Sequence, residues 1–132
     1  MNPYLFALSL SIVTSPCFGQ LYKKGIDSIK VYYIDLRYKN IEPIKPDMLK
    51  RFPITKTSTI IDPKQLSLIR QKLNLLTIDL TQHTYFDTHM LCEFYYKGKR
   101  KALQANGDQF YYFNGRYYKP SGDLFALLYP EQ

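Results

Sequence analysis

The chain has no tryptophan, two cysteines, two histidines and six glycines among its 132 residues. Two cysteines cannot build a disulfide-dense miniature scaffold. No unit recurs at the period of about 20–50 residues that marks solenoids and propellers. No G-x-S-x-G, H-E-x-x-H, Walker or G-x-G-x-x-G pattern is present. His83 and His89 stand near Asp79 and Asp87, without the spacing or the second ligand cluster of a zinc site. Both are read as loop or surface histidines, and neither a metal nor a cofactor is expected. His89 and Cys92 lie three apart on a strand, which aims them at opposite faces. Glu93 has no second placed carboxylate to share acid–base work with. These gaps point away from an enzyme.

Charge is missing from the first 19 residues. The apolar run Tyr4–Val13 fits a signal-peptide core of about 7–15 residues and falls short of the roughly 20 needed to span a bilayer. Pro16 stops any continuing helix. Cys17-Phe18-Gly19 places small residues at −3 and −1, ahead of Gln20. Residues 1–19 are therefore expected to be a cleaved signal peptide, although the α-amino group is their one positive charge. Residues 20–132 would be a single domain of a periplasmic or secreted protein, with no transmembrane span. A lipidated Cys17 is the alternative; Thr14, Ser15 and Pro16 match such a signal poorly. After cleavage Cys92 is the remaining cysteine, and the strand pattern turns it inward as an inert thiol.

All charged side chains lie in the remainder, which carries the whole net charge of +7. That balance favours acidic partners or an anionic surface. Export makes nucleic acid an unsuitable partner. At 45% hydrophobic and 22% charged residues the composition is that of an ordinary folded domain.

Ser28–Tyr38 reads as an interior strand, with Ile29, Val31 and Tyr33 on one face and Tyr32, Ile34 and Leu36 on the other. Residues 40–53 contain Pro43, Pro46 and Pro53 and read as a loop holding one short helix around Met48–Phe52. Ile54–Ile61 is β-branched and reads as a strand. Asp62-Pro63-Lys64-Gln65 opens the main helix as N-cap, N1 proline and capping-box glutamine. Leu66, Ile69, Leu73 and Leu76 form its core stripe. From Thr88 four strands follow, at 88–97, 100–105, 109–113 and 116–119, joined by turns at Gly98-Lys99, Asn106-Gly107 and Asn114-Gly115. Ser121 caps a short terminal helix over 122–129. The fold class is α+β: a mostly antiparallel sheet with a C-terminal four-stranded meander and one main helix packed on one face.

Residues 106–115 resemble the Gly-aromatic hairpins of choline- or glucan-binding cell-wall repeats. Those repeats come in tandem and usually carry tryptophan. Here there is one copy without tryptophan, and no residue role transfers.

Two-residue turns at all three positions set a register. Phe94 then faces Leu103, Leu103 faces Phe110, and Tyr112 faces Tyr117. One face collects Cys92, Phe94, Tyr96, Leu103, Ala105, Phe110, Tyr112 and Tyr117 as core. The opposite face collects Tyr95, Arg100, Tyr111, Phe113, Arg116 and Tyr118 for solvent. A one-residue slip at any turn reverses the faces beyond it. Tyr and Arg are enriched at interface hot spots, so these six are the expected binding residues. The expected function is a small exported, non-enzymatic module binding a protein partner through this Tyr/Arg sheet face. The alternative is an envelope glycan- or polyanion-binding protein that adds Lys97, Lys99 and Lys101. An exposed aromatic face also suits a homodimer contact.

Overall fold

The computed structural model describes residues 25–39, 42–81, 86–107 and 110–130. The expected signal peptide and His83 lie outside the described residues. No described helix is long and apolar enough to cross a membrane.

The elements run β1 (Ser28–Tyr33), α1 (Pro46–Arg51), β2 (Lys56–Ile60), α2 (Pro63–Asn74), β3 (Thr88–Tyr96), β4 (Lys99–Asn106), β5 (Tyr111–Phe113), β6 (Arg116–Tyr118) and α3 (Gly122–Leu128). The strands form one antiparallel six-stranded sheet in the order β2-β1-β3-β4-β5-β6. β1 is thus interior, which its apolar residues on both faces require. It is shorter than its pattern. Asp35 accepts the Arg37 backbone N–H at 2.9 Å and bends the chain out of the sheet.

Asp62 caps α2 by accepting the Gln65 N–H at 3.1 Å, as its motif dictates. Leu66, Ile69 and Leu73 are buried against the sheet. Ser121 Oγ likewise accepts the Leu124 N–H and starts α3, which buries Leu124, Phe125 and Leu128 beside α2. The Gln65 amide joins the two helices by donating to the Leu127 carbonyl at 3.3 Å. Beyond α3, the Tyr129 hydroxyl donates to the Ile34 carbonyl at 3.0 Å. Both helices cover one sheet face, on which Ile29, Val31, Cys92, Phe94, Leu103 and Ala105 are buried.

The other face has a smaller core of its own. Ile44 and Leu49, from α1 and the loop before it, pack on Ile34 and Leu91. Pro46 opens α1, with Asp47 in its first turn and Lys50 and Arg51 in its last, an order that suits the helix dipole.

The hairpins correct two of the expected turns. β3 and β4 turn at Lys97-Gly98, whose φ angles are 46° and 77°, and not at Gly98-Lys99. Both central residues of such a turn need positive φ. The Asp27 carboxylate holds this turn by accepting the Lys97 N–H at 2.8 Å. Phe94 therefore pairs with Lys101 and Cys92 with Leu103, an even shift that preserves the faces. At Asn106 the shift is odd. The chain does not turn tightly at Asn106-Gly107. Instead the Asn106 side chain accepts the Phe110 N–H and its backbone N–H donates to the Phe110 carbonyl, each at 3.1 Å. Ala105 thus faces Tyr111 where a two-residue turn would set it against Asp108. The faces of β5 and β6 are reversed as a result. Tyr111, Phe113 and Tyr118 lie in the core, between 0% and 2% exposed. Tyr112 and Tyr117, expected inside, are half-buried on the outer face. The Asn114-Gly115 turn has the expected register, pairing Phe113 with Arg116 and Tyr112 with Tyr117.

The two margins of the sheet differ. Beside β6, the Asp79 backbone N–H donates to the Tyr117 carbonyl and the Lys119 backbone N–H to the Thr77 carbonyl, with Ile78 bridged to Tyr118. Among the described strands, β2 stands at the other edge, with β1 as its one neighbour.

Candidate functional site

The outer face is built from rows that the strand pairing sets side by side. Tyr32, Leu91, Gln104, Tyr112 and Tyr117 form one row. Lys30, Glu93 and Ala102 form the next, and Ser28, Tyr95 and Arg100 the third. α1 covers Leu91. The rows through Glu93 and Tyr95 open to solvent at Lys30, Ala102 and Arg100, all exposed.

Glu93 is the centre of this open area. Its carboxylate is buried, with a side-chain exposure of 4%. Lys50 reaches down from α1 and donates to Oε2 at 2.6 Å. Arg100 approaches the same oxygen at 3.1 Å from β4, while remaining 56% exposed. The Tyr95 hydroxyl donates to Oε1 at 3.3 Å. Burial pushes the Glu93 carboxyl upward, but the hydrogen bond and charge of Lys50, then Arg100 and Tyr95, outweigh it and hold the group below the usual glutamate range. The carboxylate anchors an outward-facing guanidinium and a half-buried phenol in fixed positions. Lys30 and Lys50 also share the Tyr32 ring, at 5.2 and 5.4 Å from its centroid.

Of the expected binding residues, the structure brings Tyr95 and Arg100 together as cross-strand partners. It separates the rest. Tyr111, Phe113 and Tyr118 are core residues, and the Tyr111 hydroxyl donates to the Ser121 carbonyl at 3.1 Å. Their expected exposure is overturned by the odd register shift after Asn106. Arg116 is exposed but pairs with Phe113, on the helix-bearing side. Lys97 and Lys99 are exposed at the β3–β4 hairpin. Lys101 turns to the core side, its ammonium 5.9 Å from the Phe113 ring.

Two features escaped the sequence reading. Phe86, Tyr112 and Tyr117 form an aromatic trio, with the two tyrosine rings 5.0 Å apart. The expected pairing of Tyr112 with Tyr117 carried part of the signal, but the expected register set that pair in the core. Lys50 and Glu93 are 43 positions apart, and no local pattern joins them.

His89 also departs from its expected place at the surface. It sits at a bulge between Thr88 and Met90, only 4% exposed. Its Nε2 lies 2.8 Å from Asp87 Oδ2, and Asp87 Oδ1 accepts the Ile44 N–H at 2.7 Å. Its Nδ1 has no hydrogen-bond partner among the described residues. The pair ties the loop before α1 to the start of β3, a structural use supported by the Thr88 N–H donating to the Ile44 carbonyl.

A groove of about 310 Å³ lies beside the N-terminus of α2, lined by Gly25, Ile26, Asp27, Ile61, Pro63 and Arg70 among others. Cys92 is buried on the core face, and burial raises its thiol well above the ordinary range. Among the described residues no three His, Cys, Asp or Glu side chains are grouped to hold a metal ion. No protein family, curated protein or solved structure matches the chain.

Proposed function

We propose that the protein is a small exported, non-enzymatic binding module that engages a protein partner through the outer sheet face around Tyr95 and Arg100. The observation that carries this reading is the fixed Tyr95–Glu93–Arg100 arrangement. A long exposed side chain normally loses rotamer freedom on binding, at about 0.5–1.5 kcal/mol. Arg100 is already restrained by a buried carboxylate, so less of that cost remains. Tyr and Arg are also the side chains that most often dominate interface energy. Export rests on the uncharged apolar segment over the first 19 residues.

Affinity capture from an envelope extract tests the reading. The bait is the tagged protein beside a Tyr95→Ser/Arg100→Ser variant shown by circular dichroism to be folded. A partner held by the native protein and lost by the variant is the expected result. Equal capture by both overturns the role of this face. The second reading, binding of an envelope glycan or polyanion, draws on the exposed Lys97 and Lys99. It requires a steep loss of binding with salt, in proportion to the number of anionic contacts.

A further inference from the structure

We infer that the partner segment facing Tyr95 and Arg100 is acidic, with its carboxylates seated among Lys30, Lys50 and Arg100. This rests on the binding-face reading above and names the chemistry of the partner. Lys30 is the cross-strand neighbour of Glu93. Its ammonium and that of Lys50 both lie within 5.4 Å of the Tyr32 centroid. Glu93 serves Lys50 and Arg100 at 2.6 and 3.1 Å. Among the described residues Lys30 pairs with no carboxylate. One buried carboxylate set against three cations leaves a positive surplus on the open side of the sheet. That surplus favours an incoming carboxylate, with Lys30 as the cation that Glu93 leaves unserved.

The shape favours a peptide over a polymer. Polyanion binding draws its strength from a long row of phosphate or sulfate contacts. Here the cations form one compact group, bounded by α1 on one side. Tyr32 and Tyr95 are half-buried beside it and give apolar surface for the stems of acidic side chains. Ala102, opposite Glu93, offers only a methyl group, so the surface stays low between the cations.

The test is an amide NMR titration of the full chain with two probes: a short peptide of alternating Glu and Gly, and a sulfated heparin tetrasaccharide. The expected result is saturable peptide binding, with shifts confined to the surroundings of Lys30, Lys50 and Arg100. Lys30→Glu should weaken it about tenfold or more, and Lys99→Glu should leave it unchanged. A carboxylate at position 30 stands opposite Glu93, an unfavourable cross-strand pair, so the neutral Lys30→Gln is measured beside it and should weaken binding in the same sense. Three results overturn the inference: no saturable shifts, shifts centred on Lys97 and Lys99, or tetrasaccharide binding to the same place at least as tightly as the peptide. Unchanged affinity in Lys30→Glu overturns it as well. If the peptide fails while envelope capture still depends on Tyr95 and Arg100, the acidic chemistry falls and the binding face stands. If capture is also independent of those residues, both fall.

Discussion

Replacing each tyrosine of the Tyr111-Tyr112 doublet by alanine separates the observed register from the one that a tight Asn106-Gly107 turn would impose. Tyr111 is fully buried, and its hydroxyl bonds the Ser121 carbonyl. An aromatic side chain buries about 150–250 Å². At about 25 cal/mol per Å² that corresponds to about 4–6 kcal/mol. A compact unfolded chain already buries part of this area, which lowers the figure to about 3–4 kcal/mol. Tyr111→Ala should cost that much, in line with other aromatic truncations in cores. Tyr111→Phe removes the hydroxyl alone and should cost about 1 kcal/mol. Tyr112 is half-buried and loses its ring contacts with Tyr117 and Phe86, so Tyr112→Ala should cost about 1 kcal/mol. Tyr111 pairs with Tyr118 and Tyr112 with Tyr117, so the second doublet must show the same order, Tyr118→Ala above Tyr117→Ala. Urea denaturation followed by circular dichroism measures all five variants. A larger cost at Tyr112 and Tyr117 than at Tyr111 and Tyr118 would refute the register and the burial argument together.

Glu93→Gln should cost about 1–3 kcal/mol at neutral pH, less than a fully buried pair because Lys50 and Arg100 retain solvent contact. The Glu93 carboxyl is held below its ordinary range, so its contribution is complete above the unfolded value near 4.3 and is lost as pH falls through the folded value. Chemical denaturation of both proteins from neutral to acid pH should show their stability gap closing below about pH 4; a gap that widens there contradicts the ion-pair assignment. Cys92 is buried with a raised thiol, so a thiol reagent should label the native protein about 10³-fold or more slowly than the unfolded chain. Fast native labelling would show that β3 is not buried as described. Lys97 holds φ at 46°, a conformation that asparagine tolerates better, and Lys97→Asn should raise stability by about 0.5 kcal/mol in thermal melts. A fall in melting temperature would argue against the Lys97-Gly98 turn.

The helices were legible because their signals are local. Asp62, Pro63 and Gln65 lie within four positions of one another, and the Asp62 cap and the Leu66, Ile69, Leu73 stripe appear as expected. Leu76 falls beyond the helix end, and the Gln65 side chain reaches Leu127 in place of the cap. The interior place of β1 followed from its two apolar faces. The meander was legible in order but not in facing. Side-chain facing depends on register parity, and parity depends on how many residues each loop consumes. The misplacement at Gly98-Lys99 was even and harmless. That at Asn106 was odd and reversed Tyr111, Phe113 and Tyr118. Asn106 carried a strong turn signal, but its side chain serves a wider loop by accepting the Phe110 N–H. Tyr95 and Arg100 were found because their strands lie before that loop. Lys50 was not, because residues 34–45 separate β1 from α1 and no periodicity reports where a helix after such a loop docks.

The unequal margins of the sheet limit how this protein can accumulate. Strand-by-strand growth needs an accepting edge on every newcomer. Along β6 the 77–79 stretch already takes up hydrogen bonds, whereas β2 is the last described strand on its side. Two copies joined through β2 would present only their β6 margins to a third. Edge association would thus begin at β2, while at the other margin a newcomer meets the short 77–79 stretch in place of β6 itself.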